Sequence, residues 1–571
     1  MKKSEQVINS SLKKIIFKKD LLPYLSELLS ISFFINVLAL ATPIFVLQVY
    51  DRVVFHAGIT TLQGLVLGMI IVLIFDAVLK ITRIRYFQAI SAKNDFSIAE
   101  KVYDKLYRLS LRQLEAKPYW HWQSLFNDAG MIRNVLGGSV ASLIIDLPFS
   151  VLFLLVTILI APPLWWIFIV VLILFILLAL ISEKIIHNHA IEERKKSNTR
   201  DTLLSDLINK RQSVKMLSVE NRLKTQWSDN HLQTIKASMT RGKSVDFYRV
   251  ISQSLTLLFT ITITSIGALA ILEQQMTIGA LIAANMLGSR LISPYVQLVE
   301  HWRTLTQFNQ SLNRIDHFLN EDEDKTSKII DVPTGTGKFS LSNLRFIYDD
   351  KESPAINGID GSIGPNGLHV LMGRNGCGKT TLLKLLSGFY KPEQGIIYLD
   401  EYDIRQFTSE QLHARIGFLP QQPQLIHGSV FENIALGSAN ASNESIIEAS
   451  KQVELHESIS ALPDGYDTII NSDSHALSGG VVQKVALART LLGKPDVLLL
   501  DEPNNNLDQS SEHRLFRFLK EYAENNTVII ASHSPALLQN ADTILVLEQG
   551  KVAIAGPAIK VLEHLKNNVQ K

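Results

Sequence analysis

Two short stretches of the chain combine residue types at spacings suited to chemistry on phosphates. Residues 373–380 read GRNGCGKT, a glycine-rich loop closed by lysine and threonine. Gly373, Gly376 and Gly378, with Asn375 among them, let backbone N–H groups close on phosphate oxygens, and the helix that follows turns its positive end toward the same charge. Lys379 is suited to reach β- and γ-phosphates, Thr380 to place its hydroxyl on Mg²⁺, and Thr381 continues the pattern. Residues 497–502, VLLLDE, form an apolar strand ending in two acids. Asp501 is suited to hold the magnesium shell, and Glu502 to orient and polarise an attacking water in phosphoryl transfer. Acids at strand ends are common, so this pair takes its meaning from the phosphate loop upstream. Together the two stretches imply a nucleoside triphosphate bound with Mg²⁺.

Such residues work only if a strand, a loop and a helix hold them, and LHVLMGRNGCGKTTLLKLLSG supplies all three in order. From residue 338 to 571 short apolar strands alternate with amphipathic helices, which predicts an α/β domain. The segment 319–337, LNEDEDKTSKIIDVPTGTG, is polar and carries Pro and Gly, so it reads as a linker. Ahead of it the composition changes. The chain is 47% hydrophobic with a mean hydropathy of +0.15, and nearly all of that excess lies before residue 300. Six apolar stretches, at about 28–49, 62–80, 138–160, 164–182, 250–272 and 276–298, are each near the ~20 residues a helix needs to cross a bilayer. LALAT at 38–42 looks like a signal-peptidase site, but the apolar run continues through IFVLQV and five more stretches follow.

Lysine and arginine placement sets the orientation. The first 19 residues carry six lysines, forming with the rest of 1–24 a basic cytoplasmic segment, and 80–133 carries ten Lys/Arg. The opposite connections, DRVVFHAGIT, APP and EQQ, are nearly bare, so both termini are expected in the cytoplasm. KVYDKLYRLSLRQLEAK and TLLSDLINKRQSVKMLSVENRLKTQW have helical patterning and are long enough to reach a contact there. Asp76, Asp146 and Arg290 lie inside the apolar stretches, where charge is costly and marks either local pairing or a polar pathway. The net charge of +2 gives no basic surface for nucleic acid. A single cysteine, Cys377, excludes an internal disulfide, and the 15 histidines have no ligand-like spacing. Cys377 sits at a helix N-terminus, where a thiolate is favoured, although a small residue could simply be tolerated there.

With these residues in place the chain resembles an ATP-binding cassette exporter: a six-helix, all-α transmembrane domain (25–318) of the type I exporter fold, followed by an α/β phosphate-loop nucleotide-binding domain (338–571). Tyr348 in LRFIYDD resembles the aromatic that stacks on adenine, and Gln421 in FLPQQPQLIHGSVFENI the glutamine that senses Mg²⁺ and the membrane domain. LSGG at 477–480 resembles the signature, NNLD at 505–508 the loop ending in Asp508, and His533 in ASHSP the switch histidine. The resemblance implies Glu502, His533 and Gln421 in catalysis, Thr380, Gln421 and Asp501 on the metal, and Ser478, Gly479 and Gly480 reaching the γ-phosphate of a partner subunit. Two departures stand out. Val481 replaces the family's usual Gln, which removes a polar contact without removing the phosphate cradle, and NNN at 504–506 replaces small residues.

ALATPIFVLQVYDRVV, IIDLPFSVLF and TIGALIAANMLGSRLISPYVQL further resemble the permease part of type I secretion ATPases, in the branch with no peptidase-like domain before the first span. That implies a homodimer in the bacterial inner membrane, a periplasmic membrane-fusion adaptor, an outer-membrane export channel and a secreted, unfolded protein substrate. An exporter of lipids, peptides or small molecules, or an ATP-gated module with weak hydrolysis, are the alternatives.

Overall fold

The computed structural model describes residues 22–54, 56–321, 335–349, 352–438, 440–470 and 477–569. Most of the basic N-terminal segment and most of the expected linker lie outside them. The chain divides into two compact units, Met1–Arg108 with Ala116–Asp322, and Leu109–Glu115 with Glu323–Lys571.

The first unit is helical: α1 (Leu22–Leu38), α2 (Ala41–Gln48), α3 (Ile59–Arg108), α4 (Tyr119–Leu136), α5 (Ser139–Asp146), α6 (Ser150–Ile160), α7 (Trp165–Asn209), α8 (Glu220–Leu272) and α9 (Ile278–Leu319). Five segments of the described residues are long and apolar enough to cross a membrane: Ser26–Val54, Ile59–Arg108, Ser139–Ile160, Pro162–Ile208 and Glu220–Leu272. The sixth expected stretch, 276–298, is helical within α9 but less apolar, because Asn285, Ser289, Arg290 and Ser293 interrupt it. Along α3, Leu67, Ile70, Ile71, Leu73, Ile74 and Phe75 all point outward, an apolar surface that suits lipid rather than water. Inward, Phe168 of α7 and Phe259 of α8 meet edge to face, with ring centres 5.4 Å apart. They close on Gly288 of α9, where a Cβ would come within 2.5 Å of the Phe259 ring, so the helices approach only because that side chain is missing.

Polar contacts set the helix ends and crossings. Asp51 Oδ1 accepts from the Gly279 amide at 3.0 Å and its Oδ2 from the Thr277 hydroxyl at 2.7 Å, satisfying orphan donors at the start of α9. Asp146, at the end of α5, accepts from Arg83 of α3 at 2.8 Å and from Asn36 of α1 at 3.1 Å. One carboxylate thus ties three helices together.

The second unit contains strands β1 (Phe339–Phe346), β2 (Ile356–Ile363), β3 (Gly367–Met372), β4 (Gln394–Leu399), β5 (Tyr402–Asp403), β6 (Ile416–Leu419), β7 (Gly428–Ser429), β8 (Ile469–Ile470), β9 (Val497–Asp501), β10 (Thr527–Ala531), β11 (Thr543–Glu548) and β12 (Lys551–Pro557). An antiparallel sheet runs β2-β1-β4-β5, β7 pairs with β8, and a six-stranded sheet runs β12-β11-β3-β10-β9-β6. All neighbours in the last sheet are parallel except β11 and β12. Every residue of β9 and β10 is buried, which is why VLLLD and TVIIA read as unbroken apolar runs. The carboxyl ends of such parallel strands are where ligands of open α/β sheets bind.

The segment Leu109–Glu115 belongs to this second unit although it lies far upstream in sequence. Arg112 donates to the Ile347 carbonyl at 3.1 Å and lies 5.1 Å over the Phe346 ring. Glu115 accepts from Lys384 at 3.0 Å and from the Tyr390 hydroxyl. For this segment the expected contact is present, and it is with the strand-containing unit.

Candidate nucleotide site

The phosphate loop leaves the end of β3 and enters α10 (Lys379–Leu386). Two of its glycines are required by shape. Gly373 has φ +152° and a Cβ there would sit 2.3 Å from the Leu547 carbonyl; Gly378 has φ +110° and a Cβ would sit 2.6 Å from the Ala355 carbonyl. The loop therefore folds back on its own Lys379, whose Nζ donates to the Gly373 carbonyl at 2.7 Å and lies 3.1 Å from His533 Nε2. An ammonium held this way, 7% exposed, is aimed into the loop rather than out to water.

Parallel pairing of β10 with β3 on one side and β9 on the other brings the acids to the same place. The Thr380 hydroxyl donates to Asp501 Oδ2 at 2.7 Å. Asp501 is buried, and burial pushes its carboxyl above the ordinary range against the opposing pull of that hydrogen bond. A buried carboxylate beside a hydroxyl is an oxygen donor set that suits a hard cation such as Mg²⁺.

Glu502 lies one residue past the strand, with φ +48° and its N–H bonded to the Ala531 carbonyl at 2.9 Å. Its Oε2 accepts from Gln421 Nε2 at 2.9 Å and from Asn505 Nδ2 at 2.8 Å. Burial alone would raise its pKa, but these bonds, helped by His533 and Lys379, hold it below the ordinary glutamate value. Two adjacent acids thus differ: Asp501 is reluctant to ionise without a cation, and Glu502 is an anion across the neutral range.

Other site residues predicted from sequence take the following places. Tyr348 bonds through its hydroxyl to Thr381 Oγ1 at 3.0 Å and stands edge-on to Tyr390, 5.9 Å between ring centres. Ser478 caps α11 (Gly479–Leu492), accepting from the Val481 amide, and Asp508 caps α12 (Gln509–Tyr522), accepting from the Ser511 amide at 2.7 Å. Gly480 packs so closely on the Asn506 carbonyl that a Cβ would come within 2.8 Å of it. Among the described residues no hydrogen bond or ion pair joins Ser478, Gly479, Gly480 or Asp508 to the phosphate loop of the same chain.

Sequence reasoning missed several supports. Asn505, which holds Glu502, and Asn504, which donates to Glu512 at 3.1 Å, belong to the NNN run that stood out only as a departure. Gln483 is buried and donates to the Pro503 carbonyl at 3.3 Å, while Lys484 donates to Ser511 at 3.2 Å. The side chain of Val481 packs against the apolar core of the cassette. Cys377 is buried in the second apolar core, so its thiol is enclosed rather than presented at the helix end.

Comparison with known proteins agrees with this architecture. Residues 25–295 match the ABC transporter transmembrane region and residues 356–505 the ABC transporter domain. The leukotoxin translocation ATP-binding proteins LktB of Mannheimia glucosida and Bibersteinia trehalosi are each 30% identical over 542 residues, 94% of this chain and 76% of theirs. A bacterial Atm1-family ABC exporter with ATP bound has the same fold, with a TM-score of 0.84 at 22% identity over 95% of this chain and 97% of that one. With one transmembrane region and one ATPase cassette in a single polypeptide, the chain belongs to the ABC transporters, as a half-transporter that couples ATP hydrolysis to export.

Proposed function

We propose that this half-transporter is the ATPase of a type I secretion system and moves unfolded protein across the bacterial inner membrane. The observation that carries it is the match to toxin-translocating relatives through both halves of the chain. In this reading 25–318 is a membrane domain crossed six times, with α9 as the sixth span, 338–571 is the cassette, and both termini are cytoplasmic. Two copies pair, so that Ser478, Gly479 and Gly480 of one meet the γ-phosphate held by the other. A periplasmic adaptor and an outer-membrane channel continue the path.

The chemistry follows from the site. The phosphate-loop amides from Gly373 to Gly378, with Lys379, bind the phosphates, Thr381 supports the loop, and Tyr348 turns to the adenine. Mg²⁺, held by Thr380, Gln421 and Asp501, would neutralise charge on the phosphates. Glu502, kept anionic, orients water for attack on the γ-phosphate and takes up its proton, and His533 stabilises the charge that develops there. Asp508 shapes the loop next to the dimer face.

Exchanging Glu502 for Gln should preserve ATP binding and reduce hydrolysis to a trace, whereas Lys379→Ala should weaken binding itself. Near-normal turnover in Glu502→Gln would remove Glu502 from the mechanism. Deleting the gene in its host should clear a large polypeptide from the culture medium, and Glu502→Gln should fail to restore it. An unchanged set of secreted proteins would overturn protein export and leave the ATPase assignment standing.

A further inference from the structure

Within the membrane unit, α1, α3, α5 and α9 line a cavity of about 530 Å³ whose walls carry Lys80, Arg83 and Arg290 against the single carboxylate of Asp146. Two of these cations are already matched. Arg83 reaches Asp146 at 2.8 and 3.0 Å, and Lys80 reaches Asp76 at 2.6 Å. Arg290 is different: it is exposed to the cavity and makes no hydrogen bond or ion pair among the described residues. In the six-span reading this guanidinium lies within the bilayer, where it is costly unless it meets an anion or lines a wet path.

The helix bearing it is also unusual. On α9 the residues Ser289, Arg290, Ser293 and Gln297 are all exposed, and Gln297 Nε2 donates to Ser293 Oγ at 2.9 Å. Of these, Ser293 and Gln297 line the cavity with Arg290, one and two turns beyond the unmatched cation. Neutral hydrogen-bonding groups of that kind suit main-chain amides, and the guanidinium suits a carboxylate. The volume lies within the usual range for a binding cavity and holds a few residues of extended chain.

Resting on the protein-export reading, we infer that this cavity receives acidic segments of the transported polypeptide, with Arg290 bonding a Glu or Asp carboxylate and the Ser293–Gln297 face meeting the peptide backbone. The excess of cations favours entry of acidic over basic stretches, and the neutral stripe lets the chain slide on once the carboxylate is released.

The test uses the full-length chain in neutral detergent and fluorescence anisotropy of unstructured peptides that differ only in carrying a run of Glu, Gln or Lys. The Glu peptide should bind about tenfold more tightly than the Gln peptide, the worth of one charge-assisted hydrogen bond, and the Lys peptide least. Arg290→Gln should erase the Glu preference and Arg290→Lys should keep most of it. Vesicles of anionic phospholipid should not displace the bound Glu peptide. Equal binding of Glu and Gln peptides to the unmodified chain overturns the inference whether or not the variants fold. So does an intact preference in a folded Arg290→Gln chain, and displacement by anionic lipid would make this a headgroup site instead. If a neutral unfolded polypeptide still stimulates ATP hydrolysis while no Glu preference exists, the acidic-segment inference fails alone; if no polypeptide affects hydrolysis, the protein-export reading fails with it.

Discussion

Val481 and Ser478 occupy one turn of α11 but do different work. Ser478 accepts the Val481 amide as the helix cap, while the Val481 side chain rests on the cassette core. Replacing Val481 with Gln should restore one polar group near the dimer face, worth roughly 0.5–1.5 kcal/mol, or about two- to twelve-fold in ATPase rate or apparent ATP affinity. It should also lower thermal stability slightly, because a half-buried apolar contact is lost. Ser478→Ala removes a cap, worth about 1 kcal/mol, and in the proposed dimer a γ-phosphate contact as well, so it should damage steady-state ATPase more. An unaffected Ser478→Ala enzyme would show that the signature of this chain is idle. Lys379, Glu502 and Ser478 are legible in sequence, since GRNGCGKT, DE and LSGG are contiguous strings whose chemistry is carried by residue type. The support from Asn505 is not, because it exists only once Glu502 takes φ +48° and turns the next residues back on its carboxylate.

Elements show the same division. The strands of the core sheet announce themselves as apolar runs because both faces are covered, and the membrane helices because lipid demands uninterrupted hydrophobicity. The strap at 336–338 gives no such signal. Its amides at Thr336, Gly337 and Lys338 all donate to Asp400, at 3.2, 3.2 and 3.0 Å, and Asp400 is also bound by Arg415. Burial works against this carboxylate's charge, but Arg415 and the three amides outweigh it and hold its pKa below the ordinary value. The stabilisation is therefore fully present above the unfolded pKa, near ~3.9, and is lost as pH falls through the lower folded value. Asp400→Ala releases the strap and one of the two carboxylates on Arg415, which keeps Asp496 at 2.9 Å, and should cost about 2 kcal/mol at neutral pH. Denaturant melts at pH 7 and at pH 3 should show that cost shrinking with acid; a constant difference would mean the charge is not what matters. For Leu109–Glu115 sequence suggests a contact but not its partners, which lie more than 200 residues downstream, Arg112 and Ile347 being 235 apart.

For the whole transporter, the absence among the described residues of any bond between the signature and the phosphate loop of the same chain makes the proposed dimer a matter of arithmetic. If each site draws its phosphate loop from one copy and its signature from the other, Lys379→Ala and Ser478→Ala lesions fall together in one site of a mixed dimer and leave the second site intact. Co-reconstituting these two inactive variants in equal amounts should recover about a quarter of wild-type ATPase if pairing is random and symmetric. No recovery would indicate that a chain uses its own signature or that both sites must fire together. The location of Leu109–Glu115 has a further consequence for how such proteins can be cut and recombined. A cassette excised at the linker leaves behind the carboxylate that Lys384 and Tyr390 hold and the guanidinium that covers Phe346. It would uncover part of an aromatic patch and leave the Lys384 ammonium without its carboxylate. The true module of exchange is written in two places in the gene, and a chimaera joined only at the linker inherits a graft whose complement still belongs to its former host.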